Sequence, residues 1–174
     1  MRIRGVLRIA TTADLPDLSA IKSAVSRRAY GGLMTEEQLA WWLEVGCSQE
    51  RFAPHLDDPS STVLVDDEAR AVGTVTFAEA AYISDVYVER AGEGGGRRMV
   101  DALLALARER GLAQAECSVM GWSTDAMVFW TRMGFTRGRF LTQPSFDRDG
   151  LMRRDGWMRS EHFPTTYVGY VLAL

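Results

Sequence analysis

Lysine is almost absent from this chain. Of its 20 basic residues only Lys22 is a lysine, which leaves 19 arginines. The bias accompanies many Ala and Gly and reads as genome composition rather than function. Cysteine is scarce too: Cys47 and Cys117 are too few for a disulfide framework. They fall in segments read as a helix end and a buried strand, where a reduced thiol behaves as a small hydrophobe. The two histidines, His55 and His162, lie far apart with no metal-ligand spacing around them, so both are expected at the surface and no metal is expected. No apolar run approaches the roughly 20 residues of a membrane span. The N-terminus has no signal-peptide core, so the expectation is a cytoplasmic protein without a membrane. A net charge of −3 gives no electrostatic footprint for nucleic acid. Repeats, low-complexity tracts and linkers are missing as well. The 174 residues then fit one domain, 1–174, with room for a sizeable core.

What is present is a regular alternation of elements. Residues 6–10 alternate like a half-buried strand. Asp14 or Thr12 then caps a helix with Leu15, Leu18, Ile21 and Val25 at helical spacing. Gly31-Gly32 ends it, and Thr35 with Gln38 forms a capping box for a second helix with Leu39, Trp42 and Leu43 on its apolar face. Only one of the adjacent tryptophans can face the core squarely; Trp42 is expected there, and Trp41 is either an ordinary surface residue or one that lines a pocket or an interface. A short piece around 49–55 and a turn at 57–59 follow. Strands at 62–65 and 72–77 make an antiparallel hairpin, and a third strand spans 82–88. A helix over about 96–110 buries Met99, Val100, Leu103, Leu104 and Leu106 and stops at Gly111. A strand at 113–119, a helix at 124–133, a strand at 135–141 and an apolar strand at 167–174 inside the sheet complete the order. This is an α+β domain on a mixed sheet. The stretch 142–166 is an insertion rich in Arg and Asp.

The informative stretch joins the strand at 82–88 to the following helix: Glu89-Arg90-Ala91-Gly92-Glu93-Gly94-Gly95-Gly96-Arg97-Arg98. Glycines at 92, 94, 95 and 96 remove side chains where the backbone must come close to something. A helix N-terminus directly after them presents free N–H groups and a positive dipole end, which suits a phosphate. Arg97 and Arg98 sit where cations are slightly unfavourable. They are either a solvated first turn or charge-assisted phosphate contacts. A dinucleotide turn requires G-x-G-x-x-G early in the chain, and a P-loop requires G-K-[ST]. Spacing and position exclude both.

The turn resembles that of the Gcn5-related N-acetyltransferase (GNAT) superfamily, which runs R-G-x-G-x-G/A after a long central strand. A second match lies at Ser123-Thr124-Asp125-Ala126-Met127-Val128-Phe129-Trp130-Thr131-Arg132-Met133-Gly134-Phe135, similar to the family's N-x-x-A-x-x-F-Y-x-x-x-G-F. The element order agrees except for 142–166. The resemblance implies a mostly antiparallel central sheet flanked by helices in three layers, α/β/α, and acetyl-CoA as cofactor. It places the pantetheine arm along Val86 and Val88 and the pyrophosphate on the N–H groups from Gly94 to Met99. Gly92, Glu93, Gly95, Gly96, Arg97, Arg98, Ser123, Phe129 and Trp130 complete that side. Three departures stand out. Ala91 replaces the turn's arginine, with Arg90 one residue earlier, and the turn is about two residues short. Ser123 replaces an asparagine. Trp130 replaces a tyrosine that protonates the departing thiolate, and an indole N–H cannot deliver a proton at accessible pH. The resemblance then leaves either a slower enzyme without that acid or one with Tyr87 or Tyr82 as its substitute.

For the acceptor side the resemblance implicates Ile83-Ser84-Asp85-Val86-Tyr87-Val88 and the wall Arg27-Arg28-Ala29-Tyr30-Gly31-Gly32-Leu33. Asp85 either steers or deprotonates an amine, or is a strand carboxylate paired with a neighbouring arginine; Glu79 and Glu116 are weaker candidates. Arg28, Tyr30 and Ser84 are candidate acceptor contacts. The insertion, Phe146 to Met158 within it, is either a flap on the domain edge or a substrate lid or homodimer contact. The expected function is transfer of an acetyl group from acetyl-CoA to a primary amine of a small molecule. The alternative is a degenerate domain that binds coenzyme A without efficient turnover.

Overall fold

A computed structural model describes residues 7–138 and 167–174. Seven strands form one sheet in the order β1-β2-β3-β4-β5-β7-β6. They are β1 (Leu7–Ile9), β2 (Ser61–Asp66), β3 (Ala71–Phe77), β4 (Ala81–Val88), β5 (Gln114–Met120), β6 (Thr136–Arg137) and β7 (Tyr167–Ala173). Only β4 and β5 run parallel; every other pair is antiparallel. The helices are α1 (Leu15–Tyr30), α2 (Glu36–Trp41), α3 (Gln49–Asp57), α4 (Gly95–Glu109) and α5 (Thr124–Arg132).

Two apolar layers explain the three-layer build. On one face, Leu18 and Ile21 of α1 and Phe52 of α3 pack on Val63, Val65 and Val72. On the other, Met99, Val100, Leu103 and Leu104 of α4 pack on Leu64, Ala71, Val75 and Ile83. β3 is therefore buried along its whole length. The apolar strand at the chain's end does lie inside the sheet, between β5 and β6.

The capping box of Thr35 and Gln38 forms as the sequence indicates, with Gln38 N–H on Thr35 Oγ1 and Thr35 N–H on Gln38 Oε1. The helix it starts is short: after Trp41 the backbone widens into a π-helical turn at Trp42–Gly46. There Gly46 lies against the Trp42 ring so closely that a Cβ would stand 2.7 Å from it. Trp42 is buried and Trp41 half-buried. His55 is not at the surface: it is 5% exposed, with ring nitrogens facing Ser61 and Arg51. Both cysteines are free and buried. Of the strand expected at 135–141, the described part pairs only at Thr136–Arg137. The rest, the insertion 142–166 and His162 lie outside the described residues. Among the described residues, no helix is long and apolar enough to cross a membrane.

Candidate active site

The site begins where two strands part. β4 pairs with β5 only at Ala81, Ile83 and the residue between them, opposite Ala115, Glu116 and Cys117. Beyond Ile83 the strands diverge, and from Ser118 on β5 keeps only β7 as a partner. Tyr82 Oη and Ser118 Oγ, 2.7 Å apart, join the two strands at the base of the gap. β4 also carries a bulge here: Thr74 pairs with Asp85 but Val75 with Ile83, so Ser84 is the extra residue. A bulge changes which face the following side chains take. It turns Asp85 and Tyr87 toward α1 while Val86 and Val88 pack toward α4. Glu89 N–H bonds Arg70 C=O in register with the β3–β4 ladder. Hydrogen bonding alternates along an antiparallel pair, so the peptide groups of Val86 and Val88 face away from β3, into the gap.

The glycines after β4 divide into two kinds. Gly92 (φ +92°) and Gly94 (φ +75°) are left-handed, and an added Cβ meets nothing within 4 Å at Gly92 and only Arg98 Nη1, at 4.0 Å, at Gly94. They bend the turn and leave space beside it. Gly95 and Gly96 instead fit close to protein: a Cβ would stand 2.5 Å from Ala69 Cβ and 3.2 Å from the Phe129 ring. Gly94 caps α4, and Arg98 N–H already donates to its carbonyl. The N–H groups left for an anion are then those of Gly95, Gly96 and Arg97. This narrows the expected set. Met99 is one residue deeper in the helix, with its side chain fully buried in the core.

The two arginines also separate. Arg98 is not free for a phosphate: its Nε and Nη2 donate to Asp66 Oδ2 at 3.2 and 3.0 Å, and Nη1 to Glu93 C=O at 3.0 Å. Asp66 is fully buried and also accepts from Ala69 N–H. Arg98 thus ties the turn to the end of β2. Arg97 is exposed beside the open N-terminus. Arg90 is exposed and donates to Glu68 C=O, so it braces the turn from outside.

On the α1 side of β4, Asp85 does pair, with a lysine rather than an arginine. Lys22 Nζ stands 2.6 Å from Asp85 Oδ1, and both side chains are nearly fully buried. Ser84 Oγ donates to the other carboxylate oxygen. Burial alone would raise the Asp85 pKa, but the charge of Lys22, helped by Arg51 and His55, outweighs it and holds the carboxyl down at about 2. Such a group is a poor base near neutral pH. Tyr87 is half-buried and shares a hydrogen bond with Tyr30. Burial pushes Tyr87 well above the usual phenol range and Tyr30 up to about 12. Both phenols stay protonated at neutral pH and can donate. Arg28 reaches across from the last turn of α1, donating to Val88 and Glu89 C=O at 3.0 and 2.9 Å. Glu79 is exposed; Glu116 is fully buried and accepts from Gln114.

Of the α5 residues, Ser123 caps the helix by position without using its hydroxyl to do so. Phe129 lies half-buried against Gly96. Trp130 is 7% exposed and stacks edge-on with Phe129 and Phe135 at 5.3 and 4.9 Å. Its ring packs into the core cluster beside α4 and β7. The residue that sequence reasoning missed is Lys22. Its one warning was a lone lysine on the apolar stripe of α1.

A gap between diverging strands, an open glycine turn and a helix N-terminus suit an acyl-CoA-type cleft: the peptides of Val86 and Val88 that face the gap match an amide-bearing arm, with Arg28 now on the Val88 carbonyl, and the N–H groups match its pyrophosphate. The family model for the acetyltransferase (GNAT) family matches residues 26–135. The PaiA N-acetyltransferase from Thermoplasma acidophilum, solved with coenzyme A, superposes with a TM-score of 0.73 at 13% identity, over 97% of this chain and 98% of that one. The ribosomal-protein-alanine N-acetyltransferase from Brucella melitensis gives 0.60 at 20% identity, over 98% and 100%. A putative streptothricin acetyltransferase from Bacillus anthracis, solved with acetyl coenzyme A, gives 0.54 at 17% over 71% and 68%. At these identities the structural likenesses show the fold alone. The search of curated proteins returned no match. The chain belongs to the GNAT acetyltransferase family, since the family model covers more than half of it. It is an acyltransferase whose cofactor is acetyl-CoA.

Proposed function

We propose that this chain moves an acetyl group from acetyl-CoA to a primary amine of a small molecule, within one domain over 1–174. The observation that carries the reading is the gap between β4 and β5, into which the peptide groups of Val86 and Val88 face. Val86 and Val88 hold the amide-bearing arm. Gly92, Glu93 and Gly94 shape the turn, and the N–H groups of Gly95, Gly96 and Arg97 hold the pyrophosphate, with Arg97 adding charge. Ser123 and Phe129 border the arm from α5. Acetyl-CoA supplies the thioester, which the amine attacks directly. Main-chain N–H groups of the splayed strand are the donors that polarise a carbonyl held there. Arg28, Tyr30 and Ser84 border the acceptor, and the Tyr87–Tyr30 pair is the proton donor on this side in place of Trp130.

The test is thiol release from acetyl-CoA across a panel of small amines. Release that depends on both substrates and yields the N-acetyl product is expected. Tight coenzyme A binding without turnover on any amine would favour a degenerate binding domain instead. One feature favours that second reading: no tyrosine occupies position 130, and the tryptophan there is core.

A further inference from the structure

The acceptor side of the gap is already electrostatically complete. Asp85, the β4 carboxylate on this face, is held by Lys22 at 2.6 Å. Every other charged or titratable neighbour identified around it is cationic or neutral at pH 7. Arg51 and His55 come from α3, Tyr30 from α1, Cys47 from the end of the π-helical turn, and Tyr82 and Tyr87 from β4 itself. Thr74 lies opposite it in the β3–β4 ladder. The positive charge of Lys22 also lies 5.5 Å from the Trp42 ring, 5.3 Å from Phe52 and 5.1 Å from Tyr87. An entering ammonium would therefore find its counter-ion taken and the cation–π positions over Trp42 and Tyr87 filled.

The same side is aromatic. Tyr30, tied to β4 through the Tyr87 phenol, packs edge-on against Trp42 at 5.9 Å and Trp122 at 5.3 Å. Trp122 follows the end of β5, and Met120, Met34 and Trp41 extend the cluster. The wall thus spans from the end of α1 to the strand that borders the gap, with Tyr30, Trp41 and Trp122 half-buried.

We propose, resting on the amine reading above, that the acceptor is a weakly basic primary amine carried on an aromatic body, and that Lys22 selects it by occupying Asp85. An α-amine with a pKa near 8 is neutral in about one molecule in ten at pH 7, an alkylamine near 10.4 in fewer than about one in a thousand. A face without a free carboxylate gives the second kind no help in losing its proton.

Four amines separate basicity from shape: phenylalaninamide, glycinamide, phenethylamine and putrescine, assayed by thiol release at saturating acetyl-CoA. At pH 7 kcat/KM for phenylalaninamide is expected to exceed that for glycinamide by about tenfold and that for phenethylamine by about a hundredfold, with putrescine lowest. For phenethylamine kcat/KM rises about tenfold per pH unit from 6 to 9, following the free amine. Putrescine as the best substrate, or a phenethylamine plateau below pH 8, overturns the inference and leaves the amine reading standing. No transfer to any of the four, with acetyl-CoA bound, overturns the amine reading itself. A folded Lys22→Met variant frees Asp85 and is expected to cut the preference for phenylalaninamide over putrescine at least about tenfold. Unchanged selectivity removes Lys22 from the account. If that variant does not fold, the wild-type pH profile still decides.

Discussion

Single residues in the turn do separable jobs, and substitutions can tell them apart. Gly94 is left-handed with open space beside it, and Asp tolerates that conformation better than most residues. Gly94→Asp is therefore expected to fold while placing a carboxylate against the N–H groups of α4. Coenzyme A affinity in the folded variant should fall at least about a hundredfold by calorimetry, since an anion there meets a like charge. Unchanged affinity would move the pyrophosphate elsewhere. Gly95→Ala has the opposite signature. Its Cβ would collide with Ala69, so it should lose about 1–3 kcal/mol in urea unfolding. The sequence made all four glycines look alike, because spacing shows where side chains are missing and not what fills the space. Asp85 was legible only as a carboxylate with two possible uses. Choosing between them needed Lys22, 63 positions away in sequence.

At the level of elements, Arg98 joins α4 to β2, and the join bears on the cofactor turn. Its removal leaves Asp66 buried with only a backbone partner, Ala69 N–H, among its identified bonds. Arg98→Ala is expected to cost about 2–4 kcal/mol by urea denaturation, the lower end because Arg98 itself is partly exposed. Coenzyme A affinity should fall with it, because Glu93 loses the same clamp. Full stability in the variant would show that the turn does not depend on this tie. Element existence read well from the sequence: the hydrophobic periods and the Thr35–Gln38 capping box located most helices and strands to within a residue or two. What did not read was local geometry set by packing. In the π-helical turn Gly46 lies against the Trp42 ring, and the Ser84 bulge shows only when β4 is registered against β3.

For the whole molecule, acid stability should reflect the buried pair. Asp85 has a folded pKa near 2 against an ordinary 3.8. A depressed carboxylate pKa adds stability above the unfolded value and loses it as pH falls through the folded one. The contribution, on the order of 2 kcal/mol, is thus present above about pH 4 and lost toward pH 2. Asp14, held down by its hydrogen bonds to Arg8, acts in the same direction. Urea unfolding at pH 7, 5, 4 and 2.5 should show a flat region and then a fall; constant stability down to pH 2.5 would contradict the pairing. The three-layer order and the cofactor class were visible in sequence because the glycine turn and the α5 motif stand in family order. The aromatic face around Lys22 and Asp85 was not, because it is assembled from α1, the π-helical turn and the ends of β4 and β5.

The gap between β4 and β5 is the claim on which the rest depends. A crystal structure of the protein grown with acetyl-CoA tests it directly. Density for the pantetheine arm is expected between the two strands, bonded to the peptides of Val86 and Val88, with the pyrophosphate at the N–H groups of Gly95, Gly96 and Arg97 and Arg28 displaced from the Val88 carbonyl. Density elsewhere, or a gap still closed by Arg28 with the ligand bound outside it, would contradict the account.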